Sequence, residues 1–387
     1  MTGVYIHIPF CLRRCAYCDF ITDARMSKII PAYLDGLLKE IRFVWQNNIA
    51  EHSEIGSIYF GGGTPSLLRA DQVKRVIDEI IARFAVEKSA EITLEANPAT
   101  SVEINFAGLL EAGINRLSLG AQSFINSELT VLNRIHSVEQ ITQSVEQARQ
   151  EGFSNISLDL IFGIPGQTLE TWCKSLSAAL MLDVEHLSLY SLILEEGTPM
   201  AKAVTAGEVK LPDDDEVADM YALAREKLRS GGYEHYEISN WAKRPELESR
   251  HNKVYWLNEH YHGFGTGAHR RLDNYRSNNT LDTLDYLRRM NEGVLDKPEF
   301  ISPATVECFQ ITPKVSMQET MMLGLRLVRE GVSARRFRER YCVDIEEVFA
   351  KEVRHLLNRG LAEWQGRTLR LTSQGLSVGN QAFMEFV

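Results

Sequence analysis

Three cysteines lie close together near the start of the chain, in the run Cys11-Leu-Arg-Arg-Cys15-Ala-Tyr-Cys18. This C-x3-C-x2-C spacing allows one loop to wrap three thiolates around a metal centre. A structural zinc site takes four protein ligands, and His7 is a nearby residue that could complete one. Cubane iron–sulfur clusters are usually held by four cysteines, so three without a nearby fourth favour a [4Fe-4S] cluster with one iron left open.

The other three cysteines, Cys173, Cys308 and Cys342, stand alone in apolar or amphipathic stretches. Free cysteine packs like a small hydrophobic residue, so we expect these thiols to be buried. Six cysteines in a chain of 387 residues that opens without a secretory pattern are too few for a disulfide framework.

The formal net charge of the chain is -10. Proteins that bind nucleic acid usually carry a basic stripe that displaces counterions, so this acidic chain argues against a nucleic-acid partner. No run of about 18 apolar residues predicts a membrane span, and the first residues lack the basic start and cleavage site of a secretory signal. We therefore expect a cytoplasmic protein whose partners are small molecules or other proteins.

The elements that must position the cysteines alternate between strand and helix patterns. Six short β-rich runs occur, at Val4–Ile8, Ser57–Phe60, Ile92–Glu95, Arg116–Leu119, Ile156–Leu160 and Leu187–Leu192. Amphipathic stretches between them supply the crossovers of a parallel sheet, at Ala32–Val44, Val73–Phe84, Ile104–Glu111, Val138–Glu151 and Leu169–Leu182. This order predicts an α/β fold, a (β/α)6 partial TIM-type barrel whose functional residues gather at the carboxyl ends of the strands.

We divide the chain into three regions. Residues 1–200 form the partial barrel, residues 201–300 complete it, and residues 301–387 form a smaller domain. The middle region contains no seventh strand–helix repeat, and Asn274–Asp282 has the composition of a polar link.

The last region predicts a different architecture. Helical patterns precede a candidate hairpin at Leu361–Leu371, and they lie at Met317–Arg329, Ala334–Tyr341 and Ile345–Asn358. This order predicts a small α+β, winged-helix-like domain, in which Arg335–Arg340 lies on a solvated helix face. Domains of that shape often bind DNA, but shape does not fix function and this chain is acidic.

Two further motifs follow predicted strands at the same edge of the sheet as the cysteines. The turn Gly61-Gly-Gly-Thr-Pro65 follows the second strand, where glycines let the backbone approach a ligand that a side chain would exclude. Glu95 ends the third strand, and a carboxylate there can accept hydrogen bonds from an amine or a ribose. Both motifs favour a small cofactor bound beside the cysteines.

The run Tyr5-Ile-His-Ile-Pro-Phe-Cys11, together with the cysteine spacing, resembles the signature of the radical S-adenosylmethionine family in its coproporphyrinogen oxidase-like branch. The resemblance covers essentially the whole chain. It implies that S-adenosylmethionine fills the open iron position and that the reduced cluster breaks its sulfonium bond to give a deoxyadenosyl radical. The protein's part is to position and shield these groups.

The same resemblance implies a set of cofactor contacts at matching positions. Gly62, Gly63 and Thr64 would meet the methionine amino group, and Arg134 could clamp the carboxylate. The full set expected around S-adenosylmethionine is Tyr5, Tyr17, Gly62, Gly63, Thr64, Glu95, Gln122, Arg134 and Asp159. The resemblance places Tyr5 and Tyr17 beside the cluster. Tyr17 would either pack on the adenine ring of S-adenosylmethionine or cover the cluster.

The coproporphyrinogen oxidase-like branch contains an oxidase and a haem chaperone, and sequence features distinguish the two. The oxidase continues its trio with a cysteine two positions on and carries an extension before it. Here Asp19 and Phe20 follow the trio and only ten residues precede Cys11, so we expect no segment that reaches over the barrel mouth. Both departures favour the haem-chaperone branch.

The run His251-Asn-Lys-Val-Tyr255-Trp256 resembles the H-N-x-x-Y-W haem-binding signature of the chaperone branch. Histidine is an ordinary axial ligand of haem iron, and Tyr255 and Trp256 could stack on the macrocycle. The alternative interpretation is a structural histidine within an aromatic cluster.

The resemblance therefore implies a chaperone that binds haem and transfers it to acceptor haemoproteins, respiratory enzymes among them, with a [4Fe-4S] cluster and S-adenosylmethionine as cofactors. It further implies that an electron donor reduces the cluster, and that the protein contacts a membrane only through its acceptor. Whether a homodimer forms when ligand binds stays open. Two other functions stay open at this point. One is an oxygen-independent coproporphyrinogen III oxidase that decarboxylates two propionates, and the other is a winged-helix regulator that senses redox state.

Overall fold

The computed structural model describes residues 1–24, 26–47, 54–98 and 104–387. Strands and helices alternate over the first part of this chain. The elements in order are β1 (Thr2–Ile8), α1 (Ile30–Asn47), β2 (Ile55–Gly62), α2 (Ala70–Arg83), β3 (Val86–Ala96), α3 (Phe106–Glu111), β4 (Arg116–Gln122), α4 (Asn126–Val131), α5 (Val138–Gln150), β5 (Ile156–Phe162), α6 (Leu169–Met181) and β6 (His186–Ser191).

Strands β1 to β6 pair side by side in chain order, and every pair is parallel. Parallel neighbours require a crossover, and the helices between the strands provide it. Each predicted strand is present and extends by one or more residues beyond at least one predicted end. The predicted partial barrel of six strand–helix units is confirmed.

The two faces of this parallel sheet differ in chemistry, with a period of two along each strand. One face carries aliphatic side chains such as Val4, Ile6 and Ile58, which pack with those of the helices in one large core. The other face carries polar residues, among them Ser57, Tyr59, Glu95, Arg116, Ser118, Ser157, Asp159, His186 and Ser188. Hydrogen bonds across the strands join several of them, such as Tyr59 to Glu95 and Ser118 to Asp159. We call this second face the polar lumen, because it lines the inside of the partial barrel.

The middle region extends the sheet at both edges instead of continuing its winding. The elements that follow β6 up to the end of the large sheet are α7 (Pro199–Thr205), α8 (Asp214–Ser230), β7 (Glu234–Glu237), β8 (Asn240–Ala242), α9 (Arg250–Trp256), β9 (Tyr261–Phe264), β10 (His269–Leu272), β11 (Tyr275–Asn279), α10 (Thr283–Glu292) and β12 (Thr305–Gln310). The last of these strands lies beyond the predicted boundary at residue 300. Strands β8 and β7 lie beyond β6, while β9 to β12 lie beyond β1. The short strand β9 is parallel to β1, but it adds to the opposite edge from β6.

The prediction of a polar link near Asn274–Asp282 is wrong, since β11 occupies most of it. The polar side chains of that segment have internal partners. Asn279 is fully buried and donates to the Glu40 carboxylate at 2.7 Å, and Arg270 binds the same carboxylate at 2.7 Å. A buried carboxylate with several charged and neutral donors is stabilised in the interior, so polar composition here indicates a buried network instead of a loop.

The last part of the chain packs around its own core, which runs from Met321 to Phe386. Its elements are α11 (Pro313–Gly324), β13 (Val332–Ser333), α12 (Ala334–Tyr341), α13 (Ile345–Val348), α14 (Ala350–Asn358), β14 (Ala362–Gln365), β15 (Thr368–Leu371), α15 (Ser373–Ser377) and α16 (Gly379–Met384). The strands form an antiparallel sheet in the order β13-β15-β14. The small α+β domain with its hairpin is confirmed, while the three domain boundaries stay predictions.

Two local expectations for this part of the chain are wrong. The pattern at Ile345–Asn358 is two helices, because Phe349 leaves the helical region between them (φ -120°, ψ 32°) and its ring is buried. The expectation that the lone cysteines are buried is also wrong, here and in the rest of the chain. Cys342, which caps the end of α12 in the left-handed conformation, is exposed, and Cys173 and Cys308 are half-buried. Among the described residues, no helix combines the length and apolar character needed to cross a bilayer.

Candidate cluster and cofactor site

The three cysteines lie on a loop at the carboxyl end of β1, which we call the cysteine loop (residues 9–23). Backbone hydrogen bonds close this loop on itself, from Asp23 N to Pro9 O at 2.7 Å and from Cys11 N to Asp23 O at 3.2 Å. A third bond joins Ala16 N to Leu132 O at 3.3 Å. The loop therefore has no regular secondary structure but is held at both ends and against the barrel.

The thiols of the cysteine loop have specific partners. The hydroxyl of Thr64 donates to Cys11 Sγ at 3.6 Å, and the guanidinium of Arg134 donates to Cys15 Sγ at 3.2 Å. Burial raises the pKa of Cys11 and Cys18, so both need a metal, or a nearby donor or positive charge, to become thiolates. The arrangement fits a site in which the thiolates are ligands of iron.

Among the described residues, no three His, Cys, Asp or Glu side chains converge closely enough to hold one metal ion. A cubane cluster has a different requirement, because each thiolate binds its own iron and the sulfurs stay apart. His7, the residue that could complete a zinc site, is engaged elsewhere. Its Nε2 lies 2.8 Å from the carbonyl oxygen of Ile21, and its Nδ1 lies 3.1 Å from the hydroxyl of Tyr5. The donor set fits the predicted [4Fe-4S] cluster better than it fits zinc.

Arg134 joins the cysteine loop to the end of β4. Besides Cys15 it binds the carbonyl oxygen of Gly120 at 3.0 Å, and its buried Nε has no hydrogen-bond partner among the described residues. Gln122, two residues after that glycine, adopts a positive φ of 66°. Tyr17 packs in a small apolar cluster at this point, where burial raises the pKa of its phenol. The unpaired Nε leaves one donor for a ligand.

Glu95, near the carboxyl end of β3, and Asp159, in the middle of β5, are half-buried carboxyl groups of the polar lumen. Glu95 accepts from the Tyr59 hydroxyl at 2.8 Å and from Gly62 N at 3.3 Å. Burial raises the pKa of Glu95 to about 7 and also raises that of Asp159. A carboxyl poised near neutrality can lose its proton when a cation arrives, so Glu95 suits an incoming amine.

The glycine turn after β2 is tightly packed against the protein itself. A Cβ at Gly62, whose φ is 110°, would lie 2.5 Å from the ring of His7, and a Cβ at Gly63 would lie 2.6 Å from Phe10 O. A Cβ at Gly61 would lie 2.9 Å from Tyr59. These glycines are therefore required by the fold, whether or not a ligand also approaches them.

The helix α9 closes the opposite, amino end of the polar lumen. The ring of His251 is 1% exposed, with Nδ1 3.0 Å from Ser57 Oγ and Nε2 2.9 Å from the Tyr255 hydroxyl. It stacks on Tyr59 with centroids 4.9 Å apart, and Tyr5 stacks beside both. Burial lowers the pKa of His251 to about 3, so the imidazole is neutral.

Trp256 lies apart from the other two residues of the same motif. Arg326 of the carboxyl-terminal domain covers its ring, with the guanidinium carbon 4.3 Å from the ring centroid. The motif His251, Tyr255 and Trp256 is therefore divided between the polar lumen and the surface that faces the small domain.

Residues 5–179 match the family model described as Radical SAM superfamily, and residues 311–378 match that described as HemN C-terminal domain. The chain is 35% identical to Heme chaperone HemW of Lactococcus lactis, over 100% of this chain and 97% of the relative. It is 37% identical to Heme chaperone HemW of Bacillus subtilis, over 100% and 99% of the two chains. This chain belongs to the HemW family of radical SAM proteins.

The solved structure of coproporphyrinogen III oxidase HemN from Escherichia coli has the same fold as this HemW family member. The TM-score is 0.82 at 22% identity, over 100% of this chain and 89% of that one. The membership and the predicted fold class are therefore confirmed, and the radical SAM family implies a [4Fe-4S] cluster and S-adenosylmethionine.

The fold brings most of the predicted site residues of this HemW family member to one end of the barrel, and each assignment to a cofactor stays a prediction. The cysteines, Thr64, Glu95 and Arg134 meet there, whereas His251 and Tyr255 lie at the other end. Residues not predicted include Tyr59, and His136, which binds Asn97 Oδ1 at 3.1 Å and Ala121 O at 3.0 Å. The polar residues that alternate along the strands were the signal for Tyr59.

Proposed function

We propose that this protein is a haem chaperone, which binds haem and transfers it to acceptor haemoproteins, respiratory enzymes among them. The observation that carries this proposal is the similarity to two bacterial haem chaperones over the full length of the chain. It includes the barrel, the segment of α9 and the small domain, so it does not rest on the radical SAM part alone.

Cys11, Cys15 and Cys18 would hold a [4Fe-4S] cluster, and S-adenosylmethionine would lie in the mouth of the barrel between the cysteine loop and Glu95. When bound, this pair supplies one-electron cleavage of a sulfonium bond. The residues that would hold S-adenosylmethionine are Tyr5, Tyr17, Gly62, Gly63, Thr64, Glu95, Gln122, Arg134 and Asp159. In support, several of these residues converge at one end of the polar lumen, where the half-buried guanidinium of Arg134 and the half-buried carboxyl group of Glu95 lie.

The residues of the chain would act by binding, charge and exclusion of water. Arg134 places a permanent positive charge beside Cys15, which favours the thiolate that a metal needs. Glu95 would give up its proton as an ammonium group binds, since a nearby cation lowers the pKa of a buried carboxyl. Tyr17, which packs in the apolar cluster, would shield the cysteine loop from solvent on that side.

His251, Tyr255 and Trp256 are the predicted haem contacts. Haem could reach the ring of His251 only if α9 left the lumen, because both ring nitrogens already have partners. A cytoplasmic location, an electron donor, a homodimer formed on ligand binding and the absence of a nucleic-acid partner stay predictions of the sequence.

The test is haem binding and transfer by the full chain with its cluster reconstituted under anaerobic conditions. Titration with ferric haem should give a saturable Soret band, and mixing the loaded protein with an apo-haemoprotein should move the haem to the acceptor faster than release into buffer. The same preparation is assayed with coproporphyrinogen III. Steady formation of protoporphyrinogen IX without haem transfer would show that the protein is an oxidase and not a chaperone.

A further inference from the structure

A cavity of about 430 Å³ lies between the end of α9 and the small carboxyl-terminal domain. Ligand pockets for molecules of drug size usually measure about 300–1,000 Å³. We call it the Trp256 cavity, and the lining residues that matter here are Trp256, His260, Thr320, Arg336, Phe337 and Arg340. One wall comes from the barrel side and the other from α11 and α12, so the site exists only when the two domains are packed together.

The geometry of α9 explains why Trp256 reaches this cavity and His251 does not. Residues four apart share a helix face, so His251 and Tyr255 both turn into the polar lumen. Trp256 is one position further and is rotated by about 100° from Tyr255. Its indole N–H is buried and has no hydrogen-bond partner in the described part of the chain. A buried donor without a partner is uncommon and leaves a hydrogen bond available to a ligand.

The cavity combines aromatic walls with a charged rim. Trp256 is the aromatic ring that the cavity offers to a ligand, and aromatic rings pack well on a flat macrocycle. Phe337 also lines the cavity, but it is 1% exposed and its ring packs against Tyr341 and Phe349 in the small domain. Arg336 and Arg340 are exposed residues of α12 at its rim. Arg340 donates to the carbonyl oxygen of Asn258 at 2.7 Å and forms no ion pair with a carboxylate of the described residues. Arg336 lies 3.7 Å from the carboxylate of Glu330. Glu259 and Glu339 also line the cavity, so Arg340, which has no carboxylate partner among the described residues, is the cation most available to an anionic group.

His260 is the histidine of the cavity. It is half-buried, and burial lowers the pKa of its ring. Its ring forms no hydrogen bond with the described residues. The ring is therefore neutral near pH 7, and it is not held as that of His251 is held. Neutral imidazole is the form that coordinates haem iron.

We infer that the Trp256 cavity takes the haem, with Trp256 against the macrocycle, His260 toward the iron, and Arg336 and Arg340 toward the propionates. This inference rests on the proposed function, because the relatives supply haem as the ligand. It changes the assignment of the axial ligand from His251 to His260. It also makes the small domain part of the binding site, so that separation of the two domains would release the ligand.

The test is a titration of the full chain with ferric haem, followed through the Soret band, in the wild type and in three single-histidine variants. His260→Ala should shift the band and raise the Kd about tenfold. His251→Phe, in which the second ring still fills the lumen, should leave the band of bound haem in place. His269→Ala, an exposed histidine outside the cavity, controls for adventitious binding to surface imidazole and should behave as wild type.

A second pair of variants tests the rim of the cavity. Arg336→Gln should raise the Kd about threefold, whereas Arg335→Gln, its neighbour on α12 that does not line the cavity, should not change it. Circular dichroism of each variant checks that the fold is kept.

The outcomes separate the inference from the proposed function. If the wild type binds no haem, the proposed function fails and the inference fails with it. If the wild type binds haem and His260→Ala keeps both the band and the affinity, the inference alone is overturned. A shift of the band in His251→Phe but not in His260→Ala would return the axial ligand to His251.

Discussion

The barrel mouth and the segment of α9 place their motif residues in opposite ways. At the mouth, residues far apart in sequence converge, since Thr64 reaches Cys11 and Arg134 reaches Cys15 across 119 positions. In α9, residues that are adjacent in sequence diverge. Tyr255 bonds to His251 inside the lumen, while Trp256 lies under Arg326 of the small domain.

This difference shows when the residues of one sequence motif can be expected to lie in one site. A loop at the end of a strand can turn all its side chains toward one point, because its backbone is irregular. A helix cannot, since each residue turns by about 100° from the last. A continuous run of functional residues on a helix therefore divides between two surfaces unless its members are three or four positions apart.

The largest expected effect is at the mouth, where each of the three cysteines is required. Replacing Cys11, Cys15 or Cys18 by alanine should abolish the cluster absorption and reduce the iron content from about four per chain to near zero. Iron analysis and the visible spectrum after anaerobic reconstitution measure this. Cys342→Ala, at an exposed cysteine, is the control and should keep the cluster. A full cluster in all three variants would remove the cysteine loop from the site.

The next largest effect is on stability at the other end of the barrel. His251→Ala should lower the free energy of unfolding by about 3 kcal/mol, because it leaves a cavity and two hydroxyl groups without their partner. Urea unfolding of the unloaded protein gives this value. Tyr255→Phe, which removes one hydroxyl, should cost about 1 kcal/mol. A wild-type value for His251→Ala would mean that the ring does not lie in the lumen in solution.

The stability of the protein should depend on pH through Glu95, at the mouth of the barrel. The pKa of Glu95 is about 7 in the folded protein against 4.5 for the ordinary group, so the folded state holds this proton more tightly than the unfolded chain. As pH rises from 4.5 to 7, the unfolded chain loses this proton while the folded protein keeps it, so the stability should fall by up to about 3 kcal/mol before levelling off.

Glu95→Gln should remove this contribution, and the difference between the two proteins isolates it from other titrating groups. Unfolding by urea across that pH range, without cofactors, measures it. Parallel curves for the two proteins would show that Glu95 has an ordinary pKa. S-adenosylmethionine should suppress the fall, because a bound cation stabilises the carboxylate.

The smallest effect concerns the glycine turn. Gly62→Ala should lower the free energy of unfolding by about 2 kcal/mol, because of its positive φ and the contact of the new Cβ with His7. Gly166→Ala is the matched control, since its φ is 75° and nothing lies within 4 Å of a Cβ there. It should cost about 1 kcal/mol through the backbone alone. Equal losses of stability in Gly62→Ala and Gly166→Ala would mean that the turn has room for a side chain. That room is what the glycines would leave if they served only to admit a ligand.

The sequence predicted the barrel well because its signals are local. Each strand is a short β-rich run followed by an amphipathic stretch, and both patterns depend on neighbours in the chain. Asn274–Asp282 was misjudged as a link because its polar side chains find partners such as Glu40, more than 200 positions away. Periodicity carries no information about such partners.

The sequence by itself determined the cysteine loop, the family and the order of the strands, because spacing and alternation follow from the chain alone. Only the tertiary structure decided that the ring of His251 is sealed in the lumen, that Gly62 is packed against His7, and that Trp256 and Arg340 line one cavity. The physical reason is that burial and hydrogen bonding between distant segments depend on how domains pack. A motif names the residues, but the packing decides which of them a ligand can reach.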